Sequence, residues 1–206
     1  HSKKIAAQRN FTSSNTSAVE DRWGHGTHVA GIVGAVANNG VGVAGGCPEC
    51  VLLNGKVLND DLNGAYSWYA NGITWAADNG AKVINLSAGG SSPSKTLERA
   101  VNYAWNKGAI FVAAAGNSGN TSRLYPAYYQ NAIAVAATDN RDQKASFSTY
   151  GGWVDLAAPG VNVFSTTPNH DFKNETIDGR SKNYDYGSGT SISSPIFISG
   201  ISRNSL

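Results

Sequence analysis

Residues 189–195, Gly-Thr-Ser-Ile-Ser-Ser-Pro, decide how this chain is read. Ser191 stands between a glycine-rich approach, Tyr186-Gly187-Ser188-Gly189, and an apolar run that ends at Gly200. Small neighbours let a substrate carbonyl approach a hydroxyl, and a helix start favours developing negative charge. Alone, the stretch describes a loop, because Gly/Ser-rich segments usually are loops. It acquires chemical meaning only if a base and an oxyanion donor lie elsewhere in the chain.

A base is available upstream. Of the four histidines (His1, His25, His28 and His170), two fall in Gly24-His-Gly-Thr-His-Val-Ala-Gly31. Glycines flanking His25 place it at a loop-to-helix junction, from which an imidazole can reach outward. His28 falls inside the helix and reads as a packed, hydrogen-bonded residue. Two histidines on one helical face can also bind metal. A zinc protease helix needs His-Glu-x-x-His, however, and here the sequence is His-Gly-Thr-His. The donor candidate is Asn117, in Ala113-Ala-Ala-Gly-Asn-Ser-Gly119 at the end of an apolar run. Asn-Ser-Gly is good turn chemistry, and an asparagine amide can equally be aimed at an oxyanion.

At 206 residues the chain fits one domain, residues 1–206. It is long enough to bury about 70% of its unfolded surface. A net charge of +2 with 15% charged residues, and no run of Lys/Arg, makes nucleic acid a poor partner. No stretch approaches the ~20 apolar residues of a membrane span. The polar start His1-Ser-Lys-Lys is not a signal peptide, and methionine is absent, so a longer precursor is expected. Twenty-four glycines, low charge and many small and aromatic residues suit a compact secreted protein. Asn10-Phe-Thr and Asn15-Thr-Ser match the glycosylation pattern but read as loop. Cys47-Pro-Glu-Cys50 follows Val43-Ala-Gly-Gly and precedes a strand, so it reads as a local disulfide or two free thiols. Gly40-Val-Gly-Val-Ala-Gly45 spells the dinucleotide fingerprint, but it follows a helix and runs into a strand, the wrong context for that ligand.

The pattern of elements is alternating. Residues 1–24 are polar and irregular. A small-residue helix is expected over Thr27–Val36 and a strand over Val51–Leu58. Helices are expected over Ala65–Asn79 and Ser94–Asn106 from their apolar spacing, each closed by glycine. Lys82–Leu86, Ala109–Ala115 and Ala132–Ala137 read as strands, the last two apolar on both faces. Trp153–Ala157 and Val161–Ser165 read as shorter strands, 166–188 as a polar loop or hairpin, and Ser191–Ile201 as a buried helix. Such alternation predicts an α/β fold, with a mostly parallel sheet, helices on both faces, and ligands at the C-terminal ends of the strands.

In the order Gly-His-Gly-Thr-His-Val-Ala-Gly, Ala-Ala-Gly-Asn, Gly-Thr-Ser-x-x-x-Pro, the chain resembles the subtilisin-like serine proteases from about Asp21 to Pro195. Residues 100–108 and 126–135 are most similar to the thermitase-type bacterial branch. The resemblance implies a three-layer subtilisin-like fold, and a serine endopeptidase with His25 as general base and Ser191 as nucleophile. Asn117 and the Ser191 backbone N–H would hold the oxyanion. Ser87-Ala88-Gly89 would pair with the substrate backbone. Ala114, Ala115 and Gly116 would wall the pocket for the side chain before the scissile bond. No cofactor is implied for the chemistry. A structural calcium is, with Asn39 as side-chain ligand in the loop Asn38–Val43, although the aspartate that usually completes the site would fall near Lys3, which argues against tight binding. The implied partners are polypeptide substrates and the protein's own propeptide, on a monomer.

Some residues depart from the family pattern. The family aspartate sits in Asp-Thr/Ser-Gly upstream of the histidine; only residues 1–24 precede His25 here, and neither tripeptide occurs. Asp21 lies in the loop approaching His25 and is not assigned that role. Ile192 replaces the methionine usual after the nucleophile, Ala88 a common leucine, and Ile196-Phe-Ile-Ser-Gly200 the usual His-Val-Ala-Gly. The reading is therefore a serine endopeptidase whose triad aspartate is not in this chain. The alternatives are a non-catalytic peptide-binding or structural module on the same fold, and an esterase using the same groups.

Overall fold

The computed structural model describes residues 4–13 and 19–203. His1, Lys3 and the Asn15 motif lie outside them. At the centre is a four-stranded, all-parallel sheet: β3 (Val83–Leu86), β4 (Ile110–Ala114), β5 (Ile133–Thr138) and β6 (Leu156–Pro159), adjacent in that order. Successive side chains of a strand point to opposite faces, so strands covered on both sides are apolar throughout. Ile84, Leu86, Phe111, Ala113 and Ala134 pack on one face, and Val83, Ile110, Val112, Ile133 and Val135 on the other.

Two helices cover the first face. In α2 (Tyr66–Asp78) Tyr69, Ala70, Ile73 and Ala77 are buried, and in α3 (Lys95–Asn106) Leu97, Ala100, Val101 and Ala104 are. Both sets follow helical spacing. Ser94 caps α3 by accepting the Leu97 N–H, and Gly80 and Gly108, at φ +79° and +82°, close the two helices. On the second face lie α1 (His25–Gly34) and α5 (Thr190–Arg203), which bring Val33, Ile196, Phe197 and Ile198 against the sheet. The result is the expected α/β fold in three layers.

The structure departs from the sequence reading in three places. Residues within the polar leader form a strand, β1 (Ile5–Asn10), parallel to β2 (Leu52–Lys56). It is an edge strand with half its side chains exposed, so its composition carries little apolar signal. These two strands form a separate sheet, and β2 is not hydrogen-bonded to β3. The polar segment 166–188 takes the hairpin form that was one of its two expected readings, β7 (Val163–Thr166) with β8 (Tyr184–Gly187), and encloses a short helix α4 (Lys173–Asp178). Strand β6 also starts at Leu156, three residues after the expected Trp153, whose indole instead donates to Thr121 O. The chain segment after α1 turns back on that helix, with Gly45, Gly46 and Cys47 donating to the carbonyls of Ala35, Ile32 and Val33. Beside it Cys47 and Cys50 are joined in a disulfide.

Candidate active site

Strand β8 runs into Ser188 and Gly189, and α5 begins at Thr190, so Ser191 sits in the first turn of a helix. Gly189 has φ +150°, where L side chains are strained. A Cβ there would lie 3.1 Å from Ser191 Oγ, 3.5 Å from Asn117 Nδ2 and 3.8 Å from the Ser191 nitrogen. The three groups therefore border one opening, which glycine leaves free of a side chain. Thr190 is fully buried and fixes the asparagine: its N–H and hydroxyl donate to Asn117 Oδ1 at 2.9 and 3.0 Å. The Gly116 N–H donates to the same Thr190 hydroxyl at 3.0 Å. Ser87, at the end of β3, donates to the Ser191 carbonyl at 2.8 Å and ties the first turn of α5 to the sheet.

Gly24 precedes α1 at φ +104°, and a Cβ on it would strike the Phe172 ring at 2.8 Å. With no side chain of its own to cap the helix, Gly24 leaves that task to Asp21. One carboxylate oxygen accepts the Trp23 and Gly24 N–H groups, and the other accepts the Thr27 N–H at 2.7 Å and its hydroxyl at 2.8 Å. Both oxygens of Asp21 are thus consumed by the turn. Burial pushes the His25 imidazole below the ordinary histidine value, and the charge of Asp21 offsets part of that. No carboxylate is hydrogen-bonded to His25 among the described residues. His28 is buried, with Nε2 3.2 Å from the Asp185 carbonyl, and burial lowers its pKa as well. A neutral ring donating from Nε2 fits those facts, the packed role expected for it.

His25, Ser191 and Asn117 line one cleft of about 540 Å³ at the C-terminal ends of β3 and β4. One wall comes from Ser87, Ala88, Gly89, Ala114 and Gly116, all singled out in the sequence, with Leu124 added. Ala115, by contrast, is fully buried and does not reach the cleft. The cleft is also lined by Trp23, Phe172, Asp178 and Arg180, from the approach to α1 and from the β7–β8 hairpin. None of these four, nor Leu124, belongs to a motif. Leu124 sits under Gly89 and Gly116, and Phe172 under Gly24, contacts between segments far apart in sequence. The glycines are the only local trace they leave.

Asn39, the calcium ligand that the resemblance implies, lies in the loop after α1. Its Oδ1 accepts the Val41 N–H at 3.0 Å, and no group of three His, Cys, Asp or Glu that could hold a metal occurs among the described residues.

A parallel sheet between helical layers, with a cleft at its strand ends gathering a histidine, an asparagine and a helix-borne serine, defines an α/β protein of the subtilisin-like fold. The chain belongs to the subtilase family, whose model matches residues 2–202. It is 57% identical over 154 residues to thermitase of Thermoactinomyces vulgaris, covering 75% of this chain and 55% of that protein. It is 50% identical over 171 residues to the thermophilic serine proteinase of Bacillus sp. (strain AK1), covering 83% of this chain and 40% of that protein. A solved structure, the S41 psychrophilic protease, superposes with a TM-score of 0.82 at 36% identity, over 98% of this chain and 71% of that one. The chain therefore spans about half the length of the curated relatives it matches.

Proposed function

We propose that the chain carries the site of a serine endopeptidase. His25 takes the Ser191 proton as Oγ attacks the peptide carbonyl carbon. The oxyanion is held by Asn117 Nδ2 and the Ser191 N–H, and the proton passes to the leaving amine. Water then hydrolyses the acyl-enzyme by the same base. Ser87–Gly89 pair with the substrate backbone, while Ala114 and Gly116 leave room for a large side chain before the scissile bond. Substrates are polypeptides, and the setting is extracellular, with a propeptide preceding the mature monomer. No helix among the described residues is long and apolar enough to cross a membrane.

The observation that carries this reading is the opening at Gly189, where Ser191 Oγ, Asn117 Nδ2 and the Ser191 nitrogen converge. A fluorophosphonate probe tests it. Labelling of the full chain that disappears in Ser191→Ala supports the reading, and a folded protein that never labels overturns it.

A second reading, a non-catalytic peptide-binding module, is favoured by one observation. Asp21 is committed to backbone groups, and no other carboxylate is bonded to His25 among the described residues. Loss of the triad aspartate alone costs about 3 × 10⁴ in turnover in a member of this family. Peptide binding without labelling would select this module.

A further inference from the structure

Among the described residues, one charged side chain lines the cleft without an ion pair or a side-chain hydrogen bond. Arg180 lies in the β7–β8 hairpin after α4, half-buried, and lines the cleft that holds Ser191 and His25. The hairpin's other cations are engaged: Lys173 pairs with Asp61, and Lys182 pairs with Asp171 at 2.6 Å and Glu175 at 3.4 Å. Arg180 forms no ion pair and no side-chain hydrogen bond among the described residues. Nor are the nearby carboxylates free for it. Asp185 accepts the Ser181 and Tyr186 N–H groups, each at 2.6 Å. Asp178 accepts from the Asn174 amide at 3.1 Å, in the orientation that also lets Asn174 accept from Trp23 Nε1 at 3.2 Å. The backbone holds the residue in place, since the Arg180 N–H donates to Asn174 O at 3.2 Å.

Resting on the proposed endopeptidase reading, the lining of the cleft divides the substrate. Ser87–Gly89 and Ala114–Gly116 take the acyl half. Phe172 and Arg180 line the same cleft from other segments and are assigned to the leaving half. We infer that Arg180 is a specificity-determining residue, which favours a substrate carrying Asp or Glu within the first few residues after the scissile bond. A guanidinium presents a planar fork of donors that matches a carboxylate, and here none of the described carboxylates is paired with it.

The test uses the full chain and internally quenched peptides that share one acyl half and carry Glu, Gln or Lys at the first, second or third leaving position. Labelling of Ser191 by the fluorophosphonate probe is measured alongside. With labelling intact, the expected kcat/KM favours Glu over Lys by about fivefold at one of these positions, the size of a partly exposed charge pair. Raising the salt from 0.05 to 0.5 M shrinks the preference in the wild-type protein. Arg180→Gln brings the Glu-to-Gln ratio to about one, and Arg180→Glu inverts it. Labelled enzyme that ranks Glu, Gln and Lys equally at all three positions, or an Arg180→Glu variant that keeps the preference, overturns the inference alone. A folded chain that neither labels nor cleaves overturns both it and the endopeptidase reading.

Discussion

Asn117 Oδ1 accepts twice from Thr190, from the backbone N–H and from the side-chain hydroxyl. Its oxygen is thereby consumed, and the amide is left with only its NH₂ to present to the cleft beside Ser191. A buried threonine thus sets which end of an exposed asparagine faces the cleft.

Asn117→Leu is accordingly expected to lower turnover by roughly 10²–10³, a magnitude known from a member of this family, with little change in KM. Thr190→Val removes the hydroxyl shared by Gly116 and Asn117. It should lower turnover less, because the Thr190 N–H still orients the amide, and should cost about 1–3 kcal/mol of stability for the buried groups left unpaired. Steady-state kinetics and urea unfolding separate the two effects. A Thr190→Val variant with wild-type stability and turnover would refute the orienting role.

Gly189→Ala tests the opening itself. A methyl group there falls 3.1 Å from Ser191 Oγ, in the opening proposed for the oxyanion, and the φ of +150° adds strain. Fluorophosphonate labelling should be lost while circular dichroism stays native. Full labelling of the variant would place the oxyanion elsewhere.

The pH dependence follows from His25. Its pKa is lowered by burial, so the ring stays neutral and able to accept a proton to lower pH than a free histidine. The labelling rate should therefore fall on the acid side with a midpoint below about 6.5. Asp21→Asn removes the anion that raises the His25 pKa, so that midpoint should move lower still. Stability has the same sign: with His25 and His28 both depressed in the folded state, the unfolded chain takes up protons first. Stability contributed by the neutral rings is lost as pH falls below about 6.5. Acid titrations of melting temperature and labelling rate check both statements. A midpoint above the free-histidine value would contradict them.

Gly31→Ala probes the seat of α1. Ser165 and Thr166 of β7 donate to the His28 and Thr27 carbonyls, and a Cβ on Gly31 would lie 2.1 Å from Thr166 Oγ1. Despite alanine's better helix propensity, the variant should lose about 1–3 kcal/mol to overpacking. Thermal unfolding measures it, and a neutral or stabilising result would mean that β7 can retreat freely.

How much of this was legible in the sequence depended on how local the cause was. The faces of α2 and α3 follow from apolar spacing, and β4 and β5 from unbroken apolar runs. His25, Asn117 and Ser191 stood out because glycines and helix or strand ends marked them. Strand β1 was hidden because its order comes from pairing with β2, not from its own residues. The cleft wall around Leu124, Phe172 and Arg180 was hidden for a related reason: distant segments supply it, and α4 is too short and polar to show a periodic face.

The interruption between β2 and β3 should be visible in amide hydrogen exchange. In β4 the amides are laddered to β3 on one side and, from Val112 on, to β5 on the other. In β2 and β3 alternate N–H groups point to an edge that no described strand covers. Their exchange rates should form a comb, slow and fast by turns along each strand, against uniform protection in β4 from Val112 on.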